Sequence, residues 1–225
     1  MGSLYLGSTK VCPVVVVNSP PPAEYFTFMF PDSLTELEDE ISFSDATFPF
    51  SGAVVDFNKI SSISGDYAVS MFLPGSKTLI LKNLNSITSI TGSACFSGFC
   101  NSATLAQGYE DIYFGELTTV GQQSLAQAFT YWTNISSLHF DKLTSIGASA
   151  FYGMLQGCSN VDVYFPAVTT TTLSVSGCMN RIANSASNIT LHFPSNVSSA
   201  VEALSGYPSF NGTNTTILYD LEATE

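Results

Sequence analysis

The residues with the most chemistry to offer recur at nearly even spacing: Tyr113, His139, Tyr164 and His192 follow one another at intervals of 26, 25 and 28 positions. Each sits between two apolar neighbours, in Ile112-Tyr113-Phe114, Leu138-His139-Phe140, Val163-Tyr164-Phe165 and Leu191-His192-Phe193. In an extended strand the outer pair turns to one face and the middle residue to the other, so the four rings form a row on an outward face. Flat amphipathic rings give contact area at little entropic cost, which suits a recognition surface. Stacking on a sugar ring is one use of such a row, and burial against a second copy of the chain is another. The plainer alternative is that aromatic residues are good strand formers and cross-strand neighbours.

Those rings include both histidines of the chain. Two strands apart, their Cα atoms would lie about 9.6 Å from one another. A shared zinc needs ring nitrogens within about 2.1 Å of the metal and further ligands that the row does not supply, so no metal or cofactor is expected. The sequence contains no Gly-x-Ser-x-Gly elbow, no Gly-x-x-x-x-Gly-Lys phosphate loop, no Gly-x-Gly-x-x-Gly and no His-Glu-x-x-His. The expectation is a protein that binds rather than catalyses.

The rings belong to a phrase that recurs along the chain. Anchors at Phe30, Phe57, Leu81, Phe114, Phe140, Phe165, Phe193 and Tyr219 are spaced by 27, 24, 33, 26, 25, 28 and 26 residues. A period in this range signals a solenoid, in which each unit buries its apolar face only by stacking on the next. The middle residues Met29, Asp56, Ile80, Tyr113, His139, Tyr164, His192 and Leu218 then face outward. About eight parallel strands at about 4.8 Å make a face about 34 Å long. Between strands, Ser93–Phe96, Ser124–Phe129, Ser149–Phe151 and Val197–Leu204 have moderate helical character and must pack behind the sheet. The glycines after Val120 and Ile146 fit bends where a side chain would obstruct the chain.

Leu4–Leu6 and Val11–Val17 read as two extended runs around Gly7-Ser8-Thr9, followed by the stiff Pro20-Pro21-Pro22 link. Residues 1–22 are thus expected to be an extended arm and linker, with Leu4, Tyr5, Leu6, Val14 and Val16 as its attaching side chains, and residues 23–225 the solenoid with its end caps. A net charge of -12 repels a phosphate backbone, and no apolar run approaches the roughly 18 residues of a spanning helix. Nucleic acid and membrane insertion are therefore not expected. Residues 1–22 lack the basic start and apolar core of a secretory signal. The acidic cluster Asp32, Glu36, Glu38, Asp39 and Glu40 lacks calcium-loop spacing and reads as a solvated capping face. Trp132 beside Tyr131 reads as core. Cys158 and Cys178 fall at places that look equivalent in neighbouring repeats, where either a disulfide or a column of buried thiols is open. Asn134, Asn188, Asn196, Asn211 and Asn214 begin Asn-x-Ser/Thr triplets of the kind a Ser/Thr-rich chain produces by chance.

The fourth copy, Leu143-Thr144-Ser145-Ile146-Gly147-Ala148-Ser149-Ala150-Phe151 with Cys158 ahead of Val161, resembles the leucine-rich repeat of the bacterial surface antigen A type (BspA-like). Phe30-Pro31, Phe165-Pro166 and Phe193-Pro194 resemble that family's strand end, and Thr119-Val120-Gly121 its turn. The resemblance covers about residues 24–222 and implies a β-rich leucine-rich-repeat solenoid, a parallel sheet backed by short helices and turns, with an adhesive role towards host protein or glycan at a bacterial cell surface. The opening Leu4-Tyr5-Leu6-Gly7-Ser8-Thr9-Lys10-Val11 resembles the start of tail or fibre proteins of phages and prophages of gut bacteria. Together these imply a non-catalytic phage virion component, whose arm engages other virion subunits and whose repeat face meets a protein or glycan on a cell. The alternative is a bacterial cell-surface adhesin.

Overall fold

The computed structural model describes residues 4–6, 9–11, 25–41, 51–70 and 78–223. The chain is a β-solenoid of parallel strands with little helix. Its first two strands, β1 (Leu4–Leu6) and β2 (Thr9–Val11), instead form an antiparallel hairpin that sets Leu4 opposite Val11 and Leu6 opposite Thr9. The second strand begins at Thr9 rather than at Val11. Val14, Val16 and the Pro20–Pro22 link of the expected arm lie outside the described residues.

From Tyr25 onward the chain coils, and two sheets make up its long-strand face. The first is four-stranded: β3 (Tyr25–Met29), β5 (Gly52–Asp56), β7 (Thr78–Lys82) and β9 (Thr104–Leu105). The second is five-stranded: β10 (Asp111–Tyr113), β12 (Ser137–His139), β14 (Ser159–Tyr164), β15 (Ser187–Pro194) and β16 (Thr216–Leu221). A second face carries β4 (Glu36–Leu37), β6 (Ser62–Ile63), β8 (Ser89–Ile90), β11 (Thr119–Val120) and β13 (Ser145–Ile146), paired without interruption. The single long sheet expected from the repeat is therefore broken in two, between β7 and β10.

The break explains the uneven spacing of the anchors. Main-chain pairing sets Val55 opposite Leu81 and Asp56 opposite Lys82. The outward row thus continues through Lys82, not Ile80, which pairs with Val54 and is buried. Asn83 then stands where the coils on either side have Phe57 and Phe114. In the next coil the backbone follows β7 only as far as Leu105, and Ala106 N–H donates to Leu79 O (2.9 Å). It then leaves the sheet in a turn closed by Tyr109 N–H to Ala106 O (3.0 Å), with Gly108 at φ 84°. The strand resumes at Asp111, paired with β12.

The core is a line of phenyl rings. Phe114, Phe140, Phe165 and Phe193 stack with centroids 5.3, 5.3 and 5.4 Å apart, all fully buried. Phe30 packs on Phe57 at 5.5 Å, and beyond it, where the third coil lacks its ring, Phe96 and Phe99 fill the space at 6.1 and 6.3 Å. A buried phenylalanine contributes about 1.5–3 kcal/mol, so this line adds substantially to the cohesion of the stack, beside the aliphatic residues buried around it.

The segments expected to be helical at Ser93–Phe96, Ser124–Phe129 and Ser149–Phe151 are turns, whereas Val197–Leu204 contains the α-helix Ser198–Glu202; among the described residues α-helix appears otherwise as one turn in Thr170–Leu173, with short 3-10 turns at Leu84–Ser86 and Ser195–Val197. Every fourth residue of the turn runs is left-handed: Ala94, Gly98 and Ser102; Gln123, Gln127 and Tyr131; Ser149, Gly153 and Gly157; Gly177, Arg181 and Ser185, with φ between 50° and 73°. Each non-glycine costs about 1–2 kcal/mol. In return, alternate N–H groups reach the next coil: Leu125 to Ala150 O (3.0 Å), Gln127 to Tyr152 O (2.9 Å), Phe129 to Met154 O (3.0 Å) and Tyr131 to Gln156 O (2.7 Å). At about 0.5–1.5 kcal/mol each, two such bonds per turn offset the strain, and a helix would forgo them.

Two further columns bind coil to coil. Asn160, Asn188 and Asn214, all left-handed, form an amide ladder in which Asn188 Nδ2 donates to Asn160 Oδ1 (3.0 Å) and Asn214 Nδ2 to Asn188 Oδ1 (3.2 Å). Gly65, Gly92, Gly121 and Gly147 follow the short strands, each against the backbone of the coil before it. A Cβ on Gly121 would lie 2.5 Å from Thr91 O, and one on Gly147 2.5 Å from Gly121 C. These glycines have ordinary φ, so close approach, as the sequence suggested, is what requires them.

Candidate functional site

Tyr113, His139, Tyr164 and His192 stand in register on β10, β12, β14 and β15. Because the strands are parallel and unshifted here, the rings stack face to face, with centroids 4.3, 4.6 and 4.3 Å apart and planes within 13°. The ring faces of His139 and Tyr164 are turned to one another and to their neighbours, and the row presents edges to solvent. Exposure falls along it: Tyr113 is 49% exposed, His139 and Tyr164 are half-buried, and His192 is 8% exposed. His192 therefore underpins the ladder rather than contributing an open ring.

Acidic residues hold the imidazoles. His192 Nδ1 lies 3.0 Å from both carboxylate oxygens of Asp220, while its Nε2 is buried without a hydrogen bond, 3.9 Å from Asp162 Oδ1. Ser137 Oγ lies 2.7 Å from Asp111 Oδ1 and 2.8 Å from His139 Nε2. A carboxylate only accepts, so the hydroxyl donates to Asp111 and the imidazole N–H donates to the hydroxyl. That relay orients His139 and directs the serine proton away from the imidazole. Burial, then Asp162, Asp220 and Asp111, push the Tyr164 phenol above its ordinary value.

The open end of the ladder meets the break in the sheet. His139 covers one face of Tyr113, and its other side borders a cleft of about 260 Å³ lined by Leu81, Asn83, Leu84, Asn85, Tyr109, Asp111, Ile112 and Tyr113. Tyr109, on the turn that leaves the first sheet, is 43% exposed. Asn83 Nδ2 donates to Asp56 Oδ1 (2.6 Å), which fixes its amide plane. Asn85 is exposed on the one-turn helix Leu84–Ser86.

The other sequence candidates lie elsewhere. Leu4, Tyr5 and Leu6 form the first strand of the hairpin. Cys158 and Cys178 are free and buried, and are not equivalent: the pairing of Ser159 with Ser187 sets Cys158 beside Ala186, whereas Cys178 O accepts from Phe151 N (3.1 Å). Cys158 Sγ donates to Phe129 O (2.9 Å). Trp132 is buried, as expected, with Nε1 donating to Phe99 O (3.3 Å). In the acidic cluster Asp32 accepts from Asn58 and Glu36 from Ser64, and among the described residues no three acidic, His or Cys side chains gather as metal ligands. Sequence reasoning missed Tyr109, Asn83, Asn85 and the carboxylates of Asp111, Asp162 and Asp220. The 33-residue interval was the signal for the first of these, since it marks extra chain where the sheet parts.

No family model matches this chain, and neither a curated protein nor a solved structure matches it.

Proposed function

We propose that this chain is a non-catalytic recognition subunit whose leucine-rich-repeat solenoid, similar to the BspA-like type, presents the Tyr113–His192 row to a protein or glycan on a cell surface. The observation that carries this reading is the ring ladder: four rings in register, held by Asp220 directly and by Asp111 through Ser137, and ending in an exposed tyrosine. A preorganised row loses little entropy on binding. The resemblance of residues 4–11 to phage tail and fibre proteins supports reading the subunit as a virion component, with Leu4–Val17 attaching it to other virion subunits. A bacterial cell-surface adhesin is the alternative source of the same face. Both fit a strongly acidic chain that repels nucleic acid.

The test is a glycan and cell-surface protein array probed with the full chain and with Tyr113→Ala and Tyr164→Ala. The reading expects selective binding that both substitutions weaken; identical profiles for all three proteins would remove the row from recognition. Attachment is tested by comparing the oligomeric state of the full chain, alone and with virion subunits, with that of a chain beginning at Ala23. Assembly unchanged by the truncation refutes the arm.

A further inference from the structure

We infer that the cleft between Leu81–Asn85 and Tyr109–Tyr113 is a subsite for one neutral sugar ring, with the uncovered side of Tyr113 as its stacking platform. The inference rests on the recognition reading and deepens it. Stacking on a sugar needs an open aromatic face, and the ladder closes the faces of His139 and Tyr164. Tyr113 alone of the four rings combines a free side with high exposure, because β10 is the first strand of its sheet and β7 does not pair with it. Tyr109 supplies a second exposed ring to the same cleft.

The polar lining suits hydroxyl groups. Asn83, its amide nitrogen held by Asp56, keeps its oxygen as an acceptor, and among the described residues the Asn85 amide makes no hydrogen bond, leaving both a donor and an acceptor. Asp111 spends one oxygen on Ser137 and keeps the other. The phenol groups of Tyr109 and Tyr113 add two hydroxyls. A sugar hydroxyl both donates and accepts, so it satisfies this mixture. An apolar side chain would leave the amides and the carboxylate unpaired, at a cost of about 1–3 kcal/mol each if buried.

Charge and size narrow the class. Asp111 lines the cleft and Asp56 sits behind Asn83, against one exposed cation, Lys82, on the same wall, and the chain carries a net charge of -12, so sialic and uronic acids meet a predominantly negative surround. The volume of about 260 Å³ falls below the range of drug-sized pockets, which limits the subsite to about one ring of a longer glycan. A Lys or Arg side chain stacked on Tyr113 and paired with Asp111 is the competing occupant.

The experiment is saturation-transfer NMR and titration calorimetry on the full chain with methyl glycosides of glucose, galactose, mannose and N-acetylglucosamine, with glucuronic and N-acetylneuraminic acids, and with a lysine-rich peptide. At least one neutral glycoside is expected to bind in the millimolar range, and the acids and the peptide are not. Tyr113→Ala and Tyr109→Ala should each weaken binding about tenfold, equivalent to about 1.4 kcal/mol. Tyr113→Phe should retain it, which separates the loss of a stacking face from loss of fold. Asn85→Ala should weaken it with an unchanged circular dichroism spectrum. Preference for an acid or the peptide overturns the inference, as does the absence of any sugar binding. Binding lost in Tyr164→Ala but kept in Tyr109→Ala and Asn85→Ala overturns the cleft while sparing the recognition face; binding indifferent to every one of these substitutions overturns both.

Discussion

Gly121 is the most exacting position in the stack that a single methyl group can test. A Cβ placed there meets Thr91 O at 2.5 Å, Thr91 Cα at 2.8 Å and Ser124 Oγ at 2.9 Å, whereas ordinary contact begins near 3.4 Å. Two of these three atoms are backbone of the adjoining coil and cannot rotate away. Relief requires that the coils part by nearly an ångström where Gly121 N–H donates to Ile90 O (2.7 Å) and buried Ser124 donates to Gly92 O (2.8 Å). Overpacking costs about 1–3 kcal/mol and a weakened hydrogen bond about 1, against a gain of about 0.4–1 kcal/mol from a stiffer unfolded chain. Gly121→Ala should therefore lose about 3 kcal/mol. Gly115 has ordinary φ and its Cβ would meet only Asp141 Oδ2, at 3.8 Å, so Gly115→Ala should be neutral or slightly stabilising. Gly108 has open space but φ 84°, so Gly108→Ala should lose about 1 kcal/mol, from backbone strain alone. Equilibrium urea unfolding read by the fluorescence of Trp132, the single tryptophan and a buried one, ranks the three. If Gly121→Ala falls within about 1 kcal/mol of Gly115→Ala, on the scale of these estimates, close approach of the coils is not what the glycine column serves.

Other outcomes follow from the same geometry. Burial holds the Cys95 thiol at about 12 and that of Cys158 at about 11, against 9.0 in an open chain, and raises Cys178 and, with nearby Tyr207 and Glu202, Tyr219 (to about 12). The unfolded chain ionises first, so their contribution is complete below pH 9 and is lost as pH rises towards 12, by up to about 4 kcal/mol for Cys95. Urea midpoints should fall steeply above pH 9, less so in Cys95→Ala; a flat profile contradicts the assignment. Asn188→Ala should cost about 2 kcal/mol by removing two ladder bonds and the left-handed preference, and Asn188→Gly distinctly less; equal losses in thermal melts would make the ladder bonds the whole effect. Cys95, Cys100, Cys158 and Cys178, all buried, should resist iodoacetamide in peptide-mapped labelling until urea approaches the unfolding midpoint; modification of Cys158 under native conditions would refute its burial.

The hydrophobic phrase made most of the coil legible. Phe57, Phe114, Phe140 and Phe165 are all wholly buried, and the bend glycines stand where a side chain has no room. The register of β7 was not legible, for a definite reason. A slip of one residue turns every side chain over, but a slip of two leaves each on its original face. Leu79-x-Leu81 therefore looks like Val55-x-Phe57, and only main-chain pairing shows that Leu81 belongs opposite Val55. The turn runs escaped for another reason: Gln123, Gln127, Tyr131 and Arg181 take left-handed conformations that their types do not advertise, driven by bonds to a coil some 25–30 residues away. The rings of the row could be named from sequence, but not which of them keeps an open face, because that depends on where the sheet parts.

The parting has a mechanical meaning. Along the short strands the chain is laced without a gap from Leu37 through Ile63, Ile90 and Val120 to Ile146, whereas on the opposite flank β7 and β10 share no ladder. The array resembles a book whose spine is intact and whose pages are loose at one place. Flexing should concentrate there, and anything wedged between Asn83 and Tyr113 would act as a stay that sets the angle between the two halves.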